Sequence, residues 1–198
     1  MSSGPPVVVG ITGASGAPYA VRLLQALTAA HRRVSLIVSK YGMRLLATEA
    51  GIESMDSLRD AVGIDAWASY VEVFSNDDRG AAPASGSSRT AGMIVCPCSM
   101  GTLSAISVGA SRSLIERAAD VTLKEQRKLI LVPRETPLSA IHLGNMLRLA
   151  RAGAVVMPAS PGFYHRPSQI SDLIDFVVAR ILDQLGVEQS LVKRWEGR

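Results

Sequence analysis

Six short runs of β-branched and aliphatic residues recur along the chain, each separated from the next by a stretch with helical spacing. This alternation constrains the fold more than any other feature, because parallel strands need long crossovers and a helix is the usual one. The runs are VVVGIT (Val7–Thr12), RVSLIVS (Arg33–Ser39), YVEVFS (Tyr70–Ser75), MIVCP (Met93–Pro97), KLILVP (Lys128–Pro133) and AVVMP (Ala154–Pro158). MIVCP is apolar on both faces, which predicts a central strand. APYAVRLLQALTAA sets Ala20, Leu23, Leu24 and Leu27 on one helical face. MRLLATEAG predicts a helix ending near Gly51, and residues 52–70 a short helix and a connection. One or two helices fill residues 99–125. LSAIHLGNMLRLARAG closes at Gly153, and PSQISDLIDFVVARILDQLG opens at Pro167 and Ser168 and stops at Gly186. With right-handed crossovers the pattern predicts a three-layer α/β fold, doubly wound around a mostly parallel sheet. The expectation is a single domain over residues 1–198 with a C-terminal tail from about residue 187.

Charge and cysteine usage narrow the classes. The net charge is +4, with the basic residues dispersed and no aromatics interleaved among them, unlike a nucleic-acid groove. That surplus suits small phosphorylated ligands as well. Cys96 and Cys98 are the only cysteines, and His31, His142 and His165 are scattered. No spacing resembles a zinc site or a disulfide framework, and the cysteines read as packing residues. MSSGPP is not a signal peptide, and no apolar stretch reaches membrane-spanning length. The expectation is a reduced, cytoplasmic protein.

In such sheets ligands bind beyond the carboxyl ends of the strands, and the unusual residues gather there: TGASG after the first strand, SK after the second, CPCSMGT after the fourth, PRETP after the fifth and PASPGFYHRP after the sixth. GITGASGAPYA spaces its glycines G-x-x-G-x-x-G. The dinucleotide fingerprint needs G-x-G-x-x-G and an acidic residue at the end of the second strand, where this chain has Ser39 and Lys40. The P-loop pattern is also absent. What remains is a glycine turn into a helix N-terminus, whose N–H groups can hold a phosphate or the polar edge of a flavin, or else glycines that merely permit a tight turn. Ser99 and Thr102 open a second helix, with Ser99 equally readable as an N-cap. Arg134 and Glu135 stand between prolines beyond a central strand. Arg180 interrupts the apolar FVVARILDQL, where an arginine is expected to have a partner or a ligand. NDDRGAAPASGSSRTAG (Asn76–Gly92) has no periodicity; a loop of that length is a functional candidate.

Taken together, GITGASGAPYA, CPCSMGTLS, LIERAADVTLKEQRKLILVPRETPLSAIHL, AGAVVMPASPGFYHRP and DLIDFVVARILDQLG resemble the flavin prenyltransferases of the UbiX type, from the first strand to about Trp195. The resemblance implies a flavodoxin-like or Rossmann-like fold and a homo-dodecamer with sites at subunit interfaces. It implies reduced FMN as co-substrate, dimethylallyl monophosphate as donor, and prenylated FMN as a product handed to a UbiD-type decarboxylase. By motif, Gly13, Ala14, Ser15, Ser39, Ser99, Met100, Gly101, Thr102 and Arg134 match flavin-binding positions. Tyr164 and Arg180 match prenyl-phosphate positions, and Ser85, Gly86 and Ser87 the loop that closes over the phosphate. Glu49, Lys124 and Glu135, with Ser15, match residues needed for the chemistry. Trp195 is expected to pack on a neighbouring subunit near the prenyl-phosphate entrance. The chain lacks paired Asp-rich motifs, so fixed cations and hydroxyls, namely Lys124, Arg134, Arg180 and Tyr164, are expected to stabilise the leaving group without a metal. The related flavin-dependent cysteine decarboxylases use a catalytic histidine after the first helix and a P-x-M-N-x-x-M-W motif, and this chain has neither.

Overall fold

The computed structural model describes residues 4–193. Its strands are β1 (Val7–Ile11), β2 (Val34–Val38), β3 (Val71–Ser75), β4 (Gly92–Cys98), β5 (Leu129–Pro133) and β6 (Val155–Val156), and its helices α1 (Ala17–Ala29), α2 (Lys40–Ala50), α3 (Met55–Val62), α4 (Ile64–Tyr70), α5 (Met100–Ser107), α6 (Leu114–Lys124), α7 (Ala140–Arg151) and α8 (Ile170–Leu185). All pairings are parallel and the strand order is β3-β2-β1-β4-β5-β6. The chain leaves β1 in one direction and returns to β4 on the other side, so the order reverses between β1 and β4. That switch point is where a crevice opens at the carboxyl edge.

Alternation along the strands divides the core into two layers. Val7, Val9 and Ile11 of β1, Ile94 and Cys96 of β4 and Ile130 and Val132 of β5 pack with α1, α2, α3 and α8. Val8, Met93, Val95, Leu129 and Leu131 face α5 and α6, with Leu149 of α7. Pure alternation would put Cys98 with Ile94 and Cys96. The β4–β5 register shifts between Val95 and Cys98, and Cys98 lands in the opposite layer. Both thiols are fully buried; burial pushes Cys98 up to about 12 and Cys96 higher still. Both thiols pack in the core, with burial disfavouring the thiolate.

Several boundaries differ from the expected ones because caps decide them. α2 starts at Lys40, ahead of the first strongly patterned residues, since the Ser39 hydroxyl accepts from Gly42 N at 3.0 Å. Residues 52–70 form two helices, the first begun by a Ser54–Ser57 capping box. α8 begins at Ile170 with Gln169 as N-cap; Ser168 and Gln169 donate to Asp172, so Pro167 and Ser168 stand outside the helix. β6 keeps only Val155 and Val156 of the expected run. The Asn76–Gly92 loop is tied down. Asn76 accepts from Leu114 N and Ile115 N, a 3₁₀ turn spans Ala82–Ala84, and Pro83 and Ala84 are buried. Among the described residues no helix is long and apolar enough to cross a membrane.

Candidate active site

The carboxyl edge is held by one buried threonine. Thr12 donates through N and Oγ1 to the Pro97 carbonyl at 3.2 and 2.9 Å, and its Oγ1 accepts from Ser99 N at 2.8 Å. The ends of β1 and β4 are thereby fixed, and with them the start of α5. Sequence reading missed Thr12 because its partners lie far along the chain. On the other side Ser39 N donates to the Ile11 carbonyl at 3.0 Å. The first turn of α2 then packs so closely that a Cβ on Gly42 would collide with that carbonyl oxygen, and one on Gly13 would lie 2.5 Å from Tyr41 Cβ. Glycine at both positions lets three chain segments converge on the turn after β1.

That turn ends at Gly16, whose φ of 124° only glycine takes without strain. The N–H groups of Gly16 and Ala17 point to Glu49 Oε2 at 2.8 and 2.9 Å. Sequence left this helix start open between an anion site and a tight turn; in the structure a carboxylate from the last turn of α2 occupies it. Burial pushes the Glu49 carboxyl up, but the two N–H donors, the Ser15 hydroxyl and the Arg134 charge together hold it below the ordinary carboxylate range. Arg134 reaches back from the end of β5, with Nε 3.3 Å from the Ser15 carbonyl. Ser15, Glu49 and Arg134 therefore form one connected group.

At α5 the N-cap reading of Ser99 holds: its Oγ accepts from Thr102 N at 3.2 Å and donates to Thr102 Oγ1 at 3.0 Å. The Thr102 hydroxyl keeps its own proton to donate outward. Met100 and Ala14 are buried. Gly101 is exposed, and nothing lies within 4 Å of where its Cβ would be, so the helix start is open. Glu135 is exposed and accepts from Thr136 N at 3.1 Å. The set of N–H groups, hydroxyls and one guanidinium, with no carboxylate at the end of β2, fits the phosphate and polar ring edge of a flavin mononucleotide better than a dinucleotide ribose.

Tyr164 and Arg180 both lie beside Phe176 on the β6 side. Phe176 and Arg180, one turn apart, share a face of α8 and line a groove of about 260 Å³ with Met157, Pro158 and Ser160. Tyr164 packs edge-on against Phe176, ring centroids 5.6 Å apart, and His165 stacks on Phe176 at 5.2 Å. Arg180, expected to have a partner or a ligand, has a partner within its own helix. Its side chain is 54 % exposed and pairs with Asp183 at 3.2 Å.

Lys124 and the Ser85–Ser87 loop lie elsewhere in the chain. Lys124 is the last residue of α6, which runs back to the amino ends of the strands, and the loop precedes β4 at that same edge. A Cβ on Gly86 would lie 2.9 Å from Lys124 Nζ, and Arg127 holds the loop through the carbonyls of Gly86 (2.6 Å) and Ser88 (2.7 Å). Five strand residues, about 16 Å at ~3.3 Å each, separate this cluster from Ser15 and Arg134. One copy of the chain does not bring the two together. Arg127 and the neighbouring Glu125 escaped sequence reading because charged residues at a helix end usually face solvent. Trp195 lies outside the described residues.

The profile of the flavoprotein family matches residues 1–182. The chain is 50% identical over 201 residues to the flavin prenyltransferase UbiX of Pseudomonas aeruginosa, covering 98% of this chain and 95% of that protein. It is 50% identical over 190 residues to the flavin prenyltransferase UbiX of Halalkalibacterium halodurans, with coverages of 94% and 91%. Among solved structures, that of AnUbiX in complex with FMN and dimethylallyl pyrophosphate aligns with a TM-score of 0.89 at 42% identity, over 99% of this chain and 100% of that one. A dodecameric FMN-dependent UbiX-like decarboxylase from Escherichia coli O157:H7 aligns with the same TM-score, 0.89, at 44% identity, over 97% and 100%.

Proposed function

Since the chain belongs to the flavoprotein family and, within it, to the flavin prenyltransferases, we propose that it moves a dimethylallyl group from dimethylallyl monophosphate to N5 and C6 of reduced FMN, without a metal ion. The observation that carries this reading is the convergence of Ser15, Ser39, the Ser99–Thr102 helix start and Arg134 on the β1/β4 switch point. The flavin, when bound, supplies the nucleophilic ring positions. The remaining work belongs to side chains of the protein.

Arg134 and the hydroxyls of Ser39 and Thr102 hold the flavin, and the backbone of Gly13–Ser15 and of Met100 and Gly101 lets it approach closely. Lys124, Arg180, Tyr164 and the Ser85–Ser87 loop hold the donor phosphate and stabilise it as the C–O bond breaks and the electron pair departs with oxygen. Glu49, ionised and held by Gly16, Ala17 and Ser15, orients Ser15 and does not donate a proton at neutral pH. Glu135, exposed and with one hydrogen bond to its own chain, is the carboxylate free to move protons. The strand-length gap between the Lys124 cluster and Arg134 supports a site completed between copies. The apolar surface that α7 exposes at Ile141, Leu143 and Leu147 supports an assembly. We take that assembly to be a homo-dodecamer in the cytoplasm, with Trp195 of one copy near the donor entrance of another and a UbiD-type decarboxylase as recipient of the product.

The test is mass spectrometry of the flavin after anaerobic incubation of the protein with reduced FMN and dimethylallyl monophosphate. The expected product is a flavin heavier by one isoprene unit, formed equally with and without EDTA. Unmodified flavin would refute the reading. Activity lost in EDTA and restored by magnesium would refute its metal-free part.

A further inference from the structure

The Lys124 corner already contains an anion. Lys124 Nζ lies 2.5 Å from Oε1 of the adjacent Glu125, and a Cβ on Gly86 would collide with that same oxygen. Beside this carboxylate stand the Lys124 ammonium and the backbone of Gly86, whose carbonyl the Arg127 guanidinium holds; Gly86 lies between Ser85 and Ser87, whose hydroxyls are 2.9 Å apart. A cation, hydroxyls and a glycine that leaves its backbone open form a donor set suited to a phosphate. Lys124 is 51% and Glu125 33% exposed, so an anion from solvent can reach the ammonium, and the Glu125 side chain has room to leave. Its backbone stays fixed, because Glu125 N donates to the Val121 carbonyl at 3.0 Å and Gln126 N to the Leu123 carbonyl at 2.9 Å.

We propose that Glu125 is a specificity-determining residue for the leaving group: its carboxylate stands in for one phosphate oxygen on Lys124 and sets the charge of the corner to suit a phosphate monoester rather than a pyrophosphate. This rests on the reading of Lys124 and Ser85–Ser87 as donor-phosphate groups. A phosphate monoester carries about −1.5 to −2 charges at neutral pH, and a pyrophosphate ester about one more. Lys124 and Arg127 supply two positive charges, and Glu125 cancels one. Each ligand charge is repelled by a carboxylate a few ångströms away, so the more highly charged donor is disfavoured more. A carboxamide at residue 125 keeps the shape and removes the repulsion.

The experiment is calorimetric titration of the full-length protein, saturated with FMN, with dimethylallyl monophosphate and with dimethylallyl pyrophosphate. Wild type, Glu125→Gln, Lys124→Gln and the double variant are compared, after thermal melts verify that each is folded. Glu125→Gln is expected to tighten the pyrophosphate roughly tenfold more than the monophosphate, and that gain should vanish when Lys124→Gln is also present. Glu125→Asp, which keeps the charge, should retain the wild-type preference and serves as the second variant. If Glu125→Gln changes neither ligand, or both alike, while Lys124→Gln weakens both, Glu125 does not discriminate and the phosphate reading of Lys124 stands. If Lys124→Gln leaves both affinities unchanged, the donor phosphate is not at this corner and both readings fall.

Discussion

Glu49 holds the N-terminus of α1 from a different helix. α1 has no capping side chain of its own, since Gly16 is its N-cap, and no acidic residue lies in its first turn. The Glu49 carboxylate supplies both, accepting from Gly16 N and Ala17 N. Replacing Glu49 by Ala leaves those two donors to water and removes the charge beside the helix dipole. The expected cost is about 1 kcal/mol, read as a melting temperature lowered by roughly 2–4 °C for a chain of this length. The pH dependence follows from the direction of the shift. A carboxyl held below its ordinary value is fully stabilising above that value, and the contribution is lost as pH falls through the lowered one. Wild type should therefore lose stability in that acid window faster than Glu49→Gln does. Superimposable melting curves from neutral pH down through the carboxylate range would show that Glu49 makes no net contribution.

Between elements, the site depends on how closely α2 approaches the end of β1. The Ser39 hydroxyl caps α2 through Gly42 N, Ser39 N donates to the Ile11 carbonyl, and Gly42 lies against that same carbonyl. A methyl group at residue 42 meets fixed backbone, not a movable side chain. Gly42→Ala must push α2 outward and carry Ser39 and Glu49 with it. Overpacking of this kind costs typically about 1–3 kcal/mol. Chemical denaturation should detect that loss, and fluorescence titration should show weaker FMN binding. Gly101→Ala, where the same methyl enters open space, is the control expected to keep wild-type stability. If Gly42→Ala keeps wild-type stability and wild-type FMN affinity, the close approach is not what positions Ser39.

Across the whole molecule, the proposed chemistry requires residues from opposite edges of the sheet. Arg134 follows β5 at the carboxyl edge; Lys124 precedes it at the amino edge. If sites form between copies, Arg134→Ala and Lys124→Ala each disable a different half. Each variant alone should be inactive, and oligomers assembled from a mixture of the two should regain product formation, because some sites then receive both intact halves. Mixed oligomers as inactive as the pure variants would mean that Arg134 and Lys124 do not serve one site across an interface.

Local chemistry made much of the architecture legible. Alternating apolar runs with helical spacing dictated the doubly wound sheet, and the residues placed beyond strands β1, β2, β4 and β5 do lie at its carboxyl edge, because the turn that leaves a parallel strand must emerge there. Ser99 as a cap was readable too, since capping acts over three residues. Long-range partners were not readable. Glu49 was legible only through the resemblance, as a residue needed for the chemistry, and nothing near it in sequence shows that its carboxylate closes α1 more than thirty positions earlier. Thr12 looked like the end of a strand, yet it ties β1 to β4 over 85 positions. Lys124 and Arg134 are ten residues apart in sequence, yet a helix end and a full strand separate them in space. Periodicity and capping are properties of neighbouring residues, and a sequence states them directly. Which carboxylate meets which helix terminus, and which cation stands at which edge, depends on the crossovers that fold distant segments together.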